Sequence, residues 1–175
     1  MAATMEGLSA AFVAEARKEF QYNFKKILHC LDQLKDEDLW WRPHESANSV
    51  QNILLHLCGN LRQWIVHGLG GAPDIRNRPQ EFADRRAIPR TELIEQFEKT
   101  FQEVDAVLAG LRPGRLLEPR RIQGFDETVL SAILGTVTHF VGHTHQIVYI
   151  SRLRLGDAYR FYWVPQDQQQ TSSRQ

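Results

Sequence analysis

The stretch Val137-Thr138-His139-Phe140-Val141-Gly142-His143-Thr144-His145-Gln146-Ile147 decides how this chain is read. Val137, Phe140 and Ile147 repeat at helical spacing, and His139 and His143 stand four apart, so on a helix the two imidazoles project from one face, one turn above the other. Two imidazoles so placed can share a metal ion if a third ligand arrives from another element. The candidate third ligand is His56, in Val50-Gln51-Asn52-Ile53-Leu54-Leu55-His56-Leu57-Cys58-Gly59-Asn60, because it too sits among apolar residues with helical spacing.

Working outward, apolar residues recur every three or four positions in four long segments. The first, about 9–34, carries Phe12, Val13, Ala16, Phe20, Phe24, Ile27, Leu28, Leu31 and Leu34. The second follows Asn48-Ser49, which are cap residues, with Val50, Ile53, Leu54, Leu57, Leu61, Trp64 and Ile65, and ends at Gly68, Gly70 and Gly71. The third, about 91–109, has Leu93, Ile94, Phe97, Phe101, Val104 and Leu108, and stops at Gly110 and Pro113. The fourth, about 127–155, contains the histidine pair and closes at Gly156-Asp157. A short β-hairpin fits Leu116-Leu117, Ile122 and Gly124 before the last helix. These spacings predict an all-α fold, a four-helix bundle with long crossover loops after the second and third helices. One domain spans 1–165, and the polar segment 166–175 has nothing to bury and is expected to be disordered. Tyr159, Phe161, Tyr162 and Trp163 are expected to fold back as an aromatic cover.

Composition narrows the function classes. The 21 basic and 21 acidic residues cancel, so no overall field draws nucleic acid or an anionic membrane. No apolar run approaches membrane-spanning length, and Met1-Ala2-Ala3-Thr4-Met5 lacks the basic start of a targeting segment, so an unprocessed chain is expected. Cys30 and Cys58 have neither CxxC spacing nor the density of a secreted scaffold, which fits a reducing cytoplasm. The segment after Gly71, rich in Gly, Pro, Arg and Asp, is a long loop that should cover or bind something, with its arginines keeping it solvated.

The histidine pair alone does not prove a metal site. Seven histidines in 175 residues give about 0.3 expected pairs at this spacing by composition. Two readings stay open: ligands, or core histidines satisfied by hydrogen bonds, the latter favoured for His56 taken singly. Their place on apolar helices raises the ligand reading, because a buried imidazole needs a partner or a metal. Gly135 and Gly142 weaken the same helix and suggest close packing or an approaching ligand. His145 points away from His143 and reads as surface, and Cys58 lies on another face from His56. No carboxylate stands in a helical stripe beside the histidines, which argues against a carboxylate-rich di-iron site.

Three motifs taken in order resemble the DinB/YfiT-like superfamily: Asn48-Ser49-Val50 through His56-Leu57-Cys58-Gly59-Asn60-Leu61-Arg62-Gln63-Trp64, then Arg76-Asn77-Arg78 with Glu81-Phe82, then His139-Phe140-Val141-Gly142-His143 with Gln146-Ile147. The resemblance implies an up-up-down-down bundle, a homodimer, and a divalent metal, zinc or nickel, held by His56, His139 and His143. The superfamily's last motif runs His-Arg-Gly-Gln, whereas His143-Thr144-His145-Gln146 here puts His145 in place of the glycine. Characterised members include bacillithiol S-transferases and mycothiol-dependent maleylpyruvate isomerase.

Three histidines leave a coordination position open, as catalytic zinc sites do. The expectation is therefore transfer of a low-molecular-weight thiol to an electrophilic small-molecule substrate, with Arg76 and Arg78 as substrate-binding candidates. Metal-dependent hydrolysis, which needs a general base the sequence does not single out, and a non-enzymatic metal-binding or dimerisation module are the alternatives.

Overall fold

The computed structural model describes residues 4–164; the expected tail at 166–175 lies outside the described residues. Helix α1 spans Met5–Gln33 and is capped by the Thr4 hydroxyl, which accepts from the Gly7 amide. A short α2, Asp36–Trp40, turns the chain. Helix α3, Val50–Leu61, starts at a capping box in which Ser49 and Asn52 satisfy each other's backbone amides. It runs on through one π-helical turn, Arg62–His67. The short α4, Arg78–Ala83, interrupts the loop that follows. Helix α5 is Arg90–Ala109 and α6 is Val129–Leu155, begun by a Thr128–Ser131 box and ended by Gly156 at φ 53°.

The expected hairpin is present as β1, Pro119–Ile122, antiparallel to β2, Phe125–Thr128. Gln123 and Gly124, with φ of 55° and 86°, make its two-residue turn, the geometry that matches strand twist. Ile122 is fully buried and lies against Gly68, which docks the hairpin on the end of the π-helical turn. Trp64 and Phe125 thereby come to face each other.

The four long helices bury one core. Phe140 meets Phe20 edge-on at 5.4 Å and lies parallel to Phe97 at 6.2 Å, while Phe24 stacks on Phe101 at 4.1 Å. Burial of each such ring contributes about 1.5–3 kcal/mol. The aromatic cover forms in part: Tyr159 is buried beside Cys30 and Tyr162 packs on Tyr22 and His29, but Phe161 and Trp163 stay exposed. Among the described residues no helix is long and apolar enough to cross a membrane.

The bundle is all-α, as expected, but its chain direction differs from the expected up-up-down-down order. Arg17 pairs with Asp105 and Arg90 reaches the carbonyls of Leu31 and Leu34, so α1 and α5 are antiparallel. Gln51 bonds residues 86 and 88 while Arg62 meets Glu103, so α3 and α5 are parallel. His56 lies by His139 and Trp64 by Phe125, so α3 and α6 are antiparallel. The order is thus up, down, down, up, and only the segment 68–89 crosses the length of the bundle. The physical reason lies at the two other connections. Asp38 of α2 binds Arg154 near the end of α6, holding the first turn at one end, and the hairpin returns the chain at the other. Apolar periodicity carries no record of helix direction.

Candidate metal centre

Antiparallel packing of α3 on α6 brings His56 opposite the rung formed by His139 and His143. One nitrogen from each ring lies within 4.8 Å of those of the other two. The Nε2 atoms of His56 and His139 are 2.9 Å apart, and the His139 and His143 ring centroids are 4.4 Å apart. Zinc–imidazole bonds are about 2.0–2.1 Å, so three donors confined this closely are within reach of one ion. Among the described residues these three form the one group of histidine, cysteine and acidic donors so arranged.

The outer nitrogens are fixed as well. His56 Nδ1 is 2.9 Å from Glu81 Oε2, and His143 Nδ1 is 2.8 Å from Gln146 Oε1. Glu81 Oε2 and Gln146 Oε1 both accept, so a proton on each Nδ1 would leave each Nε2 free for a metal; Arg76 Nη2, a donor, also lies 3.2 Å from His56 Nδ1. Burial pushes the Glu81 carboxyl upward, but hydrogen bonds from Arg76 and His56 outweigh it and hold the group below its ordinary range. Arg76 grips Glu81 through two contacts, 2.7 and 2.9 Å, and donates to Gln63 Oε1 at 2.8 Å; its side chain is only 4 % exposed. Asn52 donates to the carbonyls of Glu81 and Asp84 and ties α4 down over α3. Gly59 makes this approach possible: a Cβ there would lie 2.0 Å from Glu81 Oε1.

Desolvation, then the neighbouring His143 and His56, lower the His139 pKa to about 4. His143 is also lowered, by burial first, against the raising bond to Gln146. Both are therefore neutral at physiological pH, the protonation state that binds metal. Cys58 is buried, its thiol pushed up to about 12 by desolvation and bonded towards Thr100 on α5, so it stands apart from the triad. His145 is exposed, as expected.

A cleft of about 440 Å³ leads away from the triad, bordered by His56, His139, Arg78, Trp64, Phe125 and Glu127. A larger cavity of about 820 Å³ lies behind the Arg76–Glu81 pair, between α3, α5 and the crossover. None of the three histidines lines it, so the smaller cleft is the one that bears on their chemistry.

The three histidines meet as the sequence suggests, but the loop differs from a solvated one. Arg76 is buried in the site's support, not solvated, and Glu81 supplies the acidic neighbour that no helical stripe showed. Arg78 is exposed at the cleft, 5.1 Å from the Phe82 ring. Gln63 and Gly59 were missed as functional support; the only signal for them was a polar residue and a glycine on the stripe beside His56. Gly135 and Gly142 meet nothing within 4 Å at a built Cβ, so close packing does not explain them.

Residues 7–168 match the family described as Protein of unknown function (DUF1572). The fold is similar to that of a DinB-like protein from Bacillus cereus ATCC 10987, known from its crystal structure. The TM-score is 0.62 at 15 % identity, over 83 % of this chain and 94 % of that one. No curated protein matches the chain. The chain therefore belongs to the DUF1572 family of unknown function, and its fold is that of the DinB-like helical bundles.

Proposed function

We propose that the protein is a divalent-metal-dependent enzyme that transfers a small thiol to an electrophilic substrate, with His56, His139 and His143 holding zinc or nickel. The observation that carries this reading is the triad itself: three close imidazoles, two with their outer nitrogens bonded to Glu81 and Gln146, and two of them, His56 and His139, bordering an open cleft. A divalent ion there supplies Lewis acidity that favours the thiolate, the reactive form of a thiol, at neutral pH.

The chain's own residues support the remaining roles. Three neutral ligands add no negative charge, so the site keeps its attraction for an anionic cosubstrate. Arg78 borders the cleft as a candidate for an acidic substrate group, whereas the Arg76 guanidinium is already engaged by Glu81 and Gln63. Glu127 also borders the cleft and accepts a hydrogen bond from Ser131, which makes it a candidate acceptor for the proton the thiol releases.

That carboxylate favours one second reading, hydrolysis, for which Glu127 is the candidate general base. Incubating the metal-loaded protein with a panel of small thiols and an aryl halide, and separately with ester and amide substrates, distinguishes the two. The proposal expects turnover with thiols that chelator abolishes and His143→Ala removes. Undiminished thiol transfer by His143→Ala refutes it, and cleavage of esters or amides with no thiol dependence favours hydrolysis.

A further inference from the structure

The cleft is lined by two facing rows of residues. On α3 and the π-helical turn that continues it, His56, Asn60 and Trp64 recur every four positions; on β2 and α6, Glu127, Ser131, Gly135 and His139 do the same. All seven border one slot that starts at the histidines and ends at the hairpin. Three details of this slot have no structural purpose elsewhere. Gly135 leaves it open in the middle, since a Cβ there would meet nothing within 4 Å, although glycine weakens a helix interior. Asn60, one turn from His56, borders the slot, and its Oδ1 is buried without a hydrogen-bond partner among the described residues, so turning the amide towards the slot would give that oxygen a partner. At the far end, Trp64 and Phe125 stack at 6.4 Å while Phe125 is 58 % exposed, an apolar surface with one face uncovered.

We propose that this slot binds an elongated ligand in three parts: a metal-seeking head at the triad, an N–H or O–H group for Asn60 in its middle, and a flat, uncharged apolar tail against Trp64 and Phe125. Only the head rests on the metal reading. The helical rise places Asn60 about 6 Å along α3 from His56, with Trp64 one further turn on in the π-helical segment, which sets the ligand's length. Of the charged residues that border the slot, Arg78 and Glu127 oppose each other in sign and Arg76 is already paired with Glu81, so the slot offers little net charge to select a charged tail.

The probe is N-benzyl-2-mercaptoacetamide, which carries a thiol, an amide N–H and a phenyl ring in that order. Its binding to the zinc-loaded protein is followed by calorimetry and by the indole N–H resonance of Trp64, assigned with Trp64→Phe. Removing the benzyl group or methylating the amide nitrogen each weakens binding about tenfold, the equivalent of one lost contact. Asn60→Ala reproduces the effect of N-methylation and makes the protein indifferent to it. Gly135→Leu fills the slot and abolishes binding, with zinc stoichiometry unchanged and thermal stability at or above that of the parent. A Gly135→Leu protein that binds the probe normally, or a parent that does not bind it, overturns the proposal. N-benzylacetamide, which lacks the thiol, separates the two readings: a Trp64 shift in metal-free protein that Gly135→Leu removes supports the slot even if the triad holds no zinc.

Discussion

Gly59→Ala tests whether the support behind His56 is as tightly fitted as the geometry indicates. The added Cβ would stand 2.0 Å from Glu81 Oε1, whereas ordinary contact begins at 3.4 Å, so the carboxylate must retreat by about 1.4 Å. Its contacts to Arg76 and His56 now measure 2.7, 2.9 and 2.9 Å, and a shift of that size takes at least two of them beyond hydrogen-bond length. Hydrogen bonds to charged groups contribute about 1.5–3 kcal/mol each, so the loss is about 3–6 kcal/mol. Replacing a helical glycine by alanine returns about 1 kcal/mol, which leaves a net destabilisation of about 2–5 kcal/mol. Freed from Glu81, His56 also loses its fixed tautomer, and partners of this kind are worth about 10–100-fold in metal affinity. Urea denaturation and zinc competition titration measure the two effects. In a Glu81→Ala background the same substitution should become close to neutral, because only the 3.1 Å approach to Arg76 Nε, which Glu81 no longer holds, remains. A Gly59→Ala protein with parental stability and parental zinc affinity would refute the reasoning.

Two further outcomes follow from the same support. Arg76→Met leaves the buried Glu81 carboxylate without its main partner and should cost about 3–5 kcal/mol, read as a lower denaturation midpoint; Arg76→Met combined with Glu81→Leu should recover most of it. In the metal-free protein, stability should be full above pH 6.5 and decline as the pH falls towards 4. The His139 pKa drops from 6.5 to about 4 on folding, so between those values the unfolded chain binds more protons than the folded one. Glu81, whose pKa is lowered, adds a further loss below its ordinary 4.5. Denaturation midpoints that stay level from pH 7 to 5 contradict this, and His139→Gln should flatten the curve.

The parts legible in the sequence are those that repeat. Phe20, Ile27 and Leu31, or Leu93, Phe97 and Phe101, mark helices because burial selects one face of each, and His56, His139 and His143 were identifiable because they share those faces. Helix direction was not legible: it shows only in pairings such as Asp38 with Arg154, 116 residues apart, which no local spacing records. Arg76 and Glu81 looked like solvated loop residues because a charged loop is usually that; their burial depends on each other and on the gap at Gly59. The two glycines of α6 stood out, but only the structure shows that Gly135 borders a cleft.

The central claim is that three named histidines form one metal site. Cobalt or zinc titration of the chelator-stripped protein, with metal content checked by elemental analysis, tests it most directly. The account predicts one ion per chain for the parent, and loss of that ion in each of His56→Ala, His139→Ala and His143→Ala, with His145→Ala unaffected. Parental stoichiometry in His56→Ala, or a full ion retained by any of the three variants at parental affinity, would contradict it.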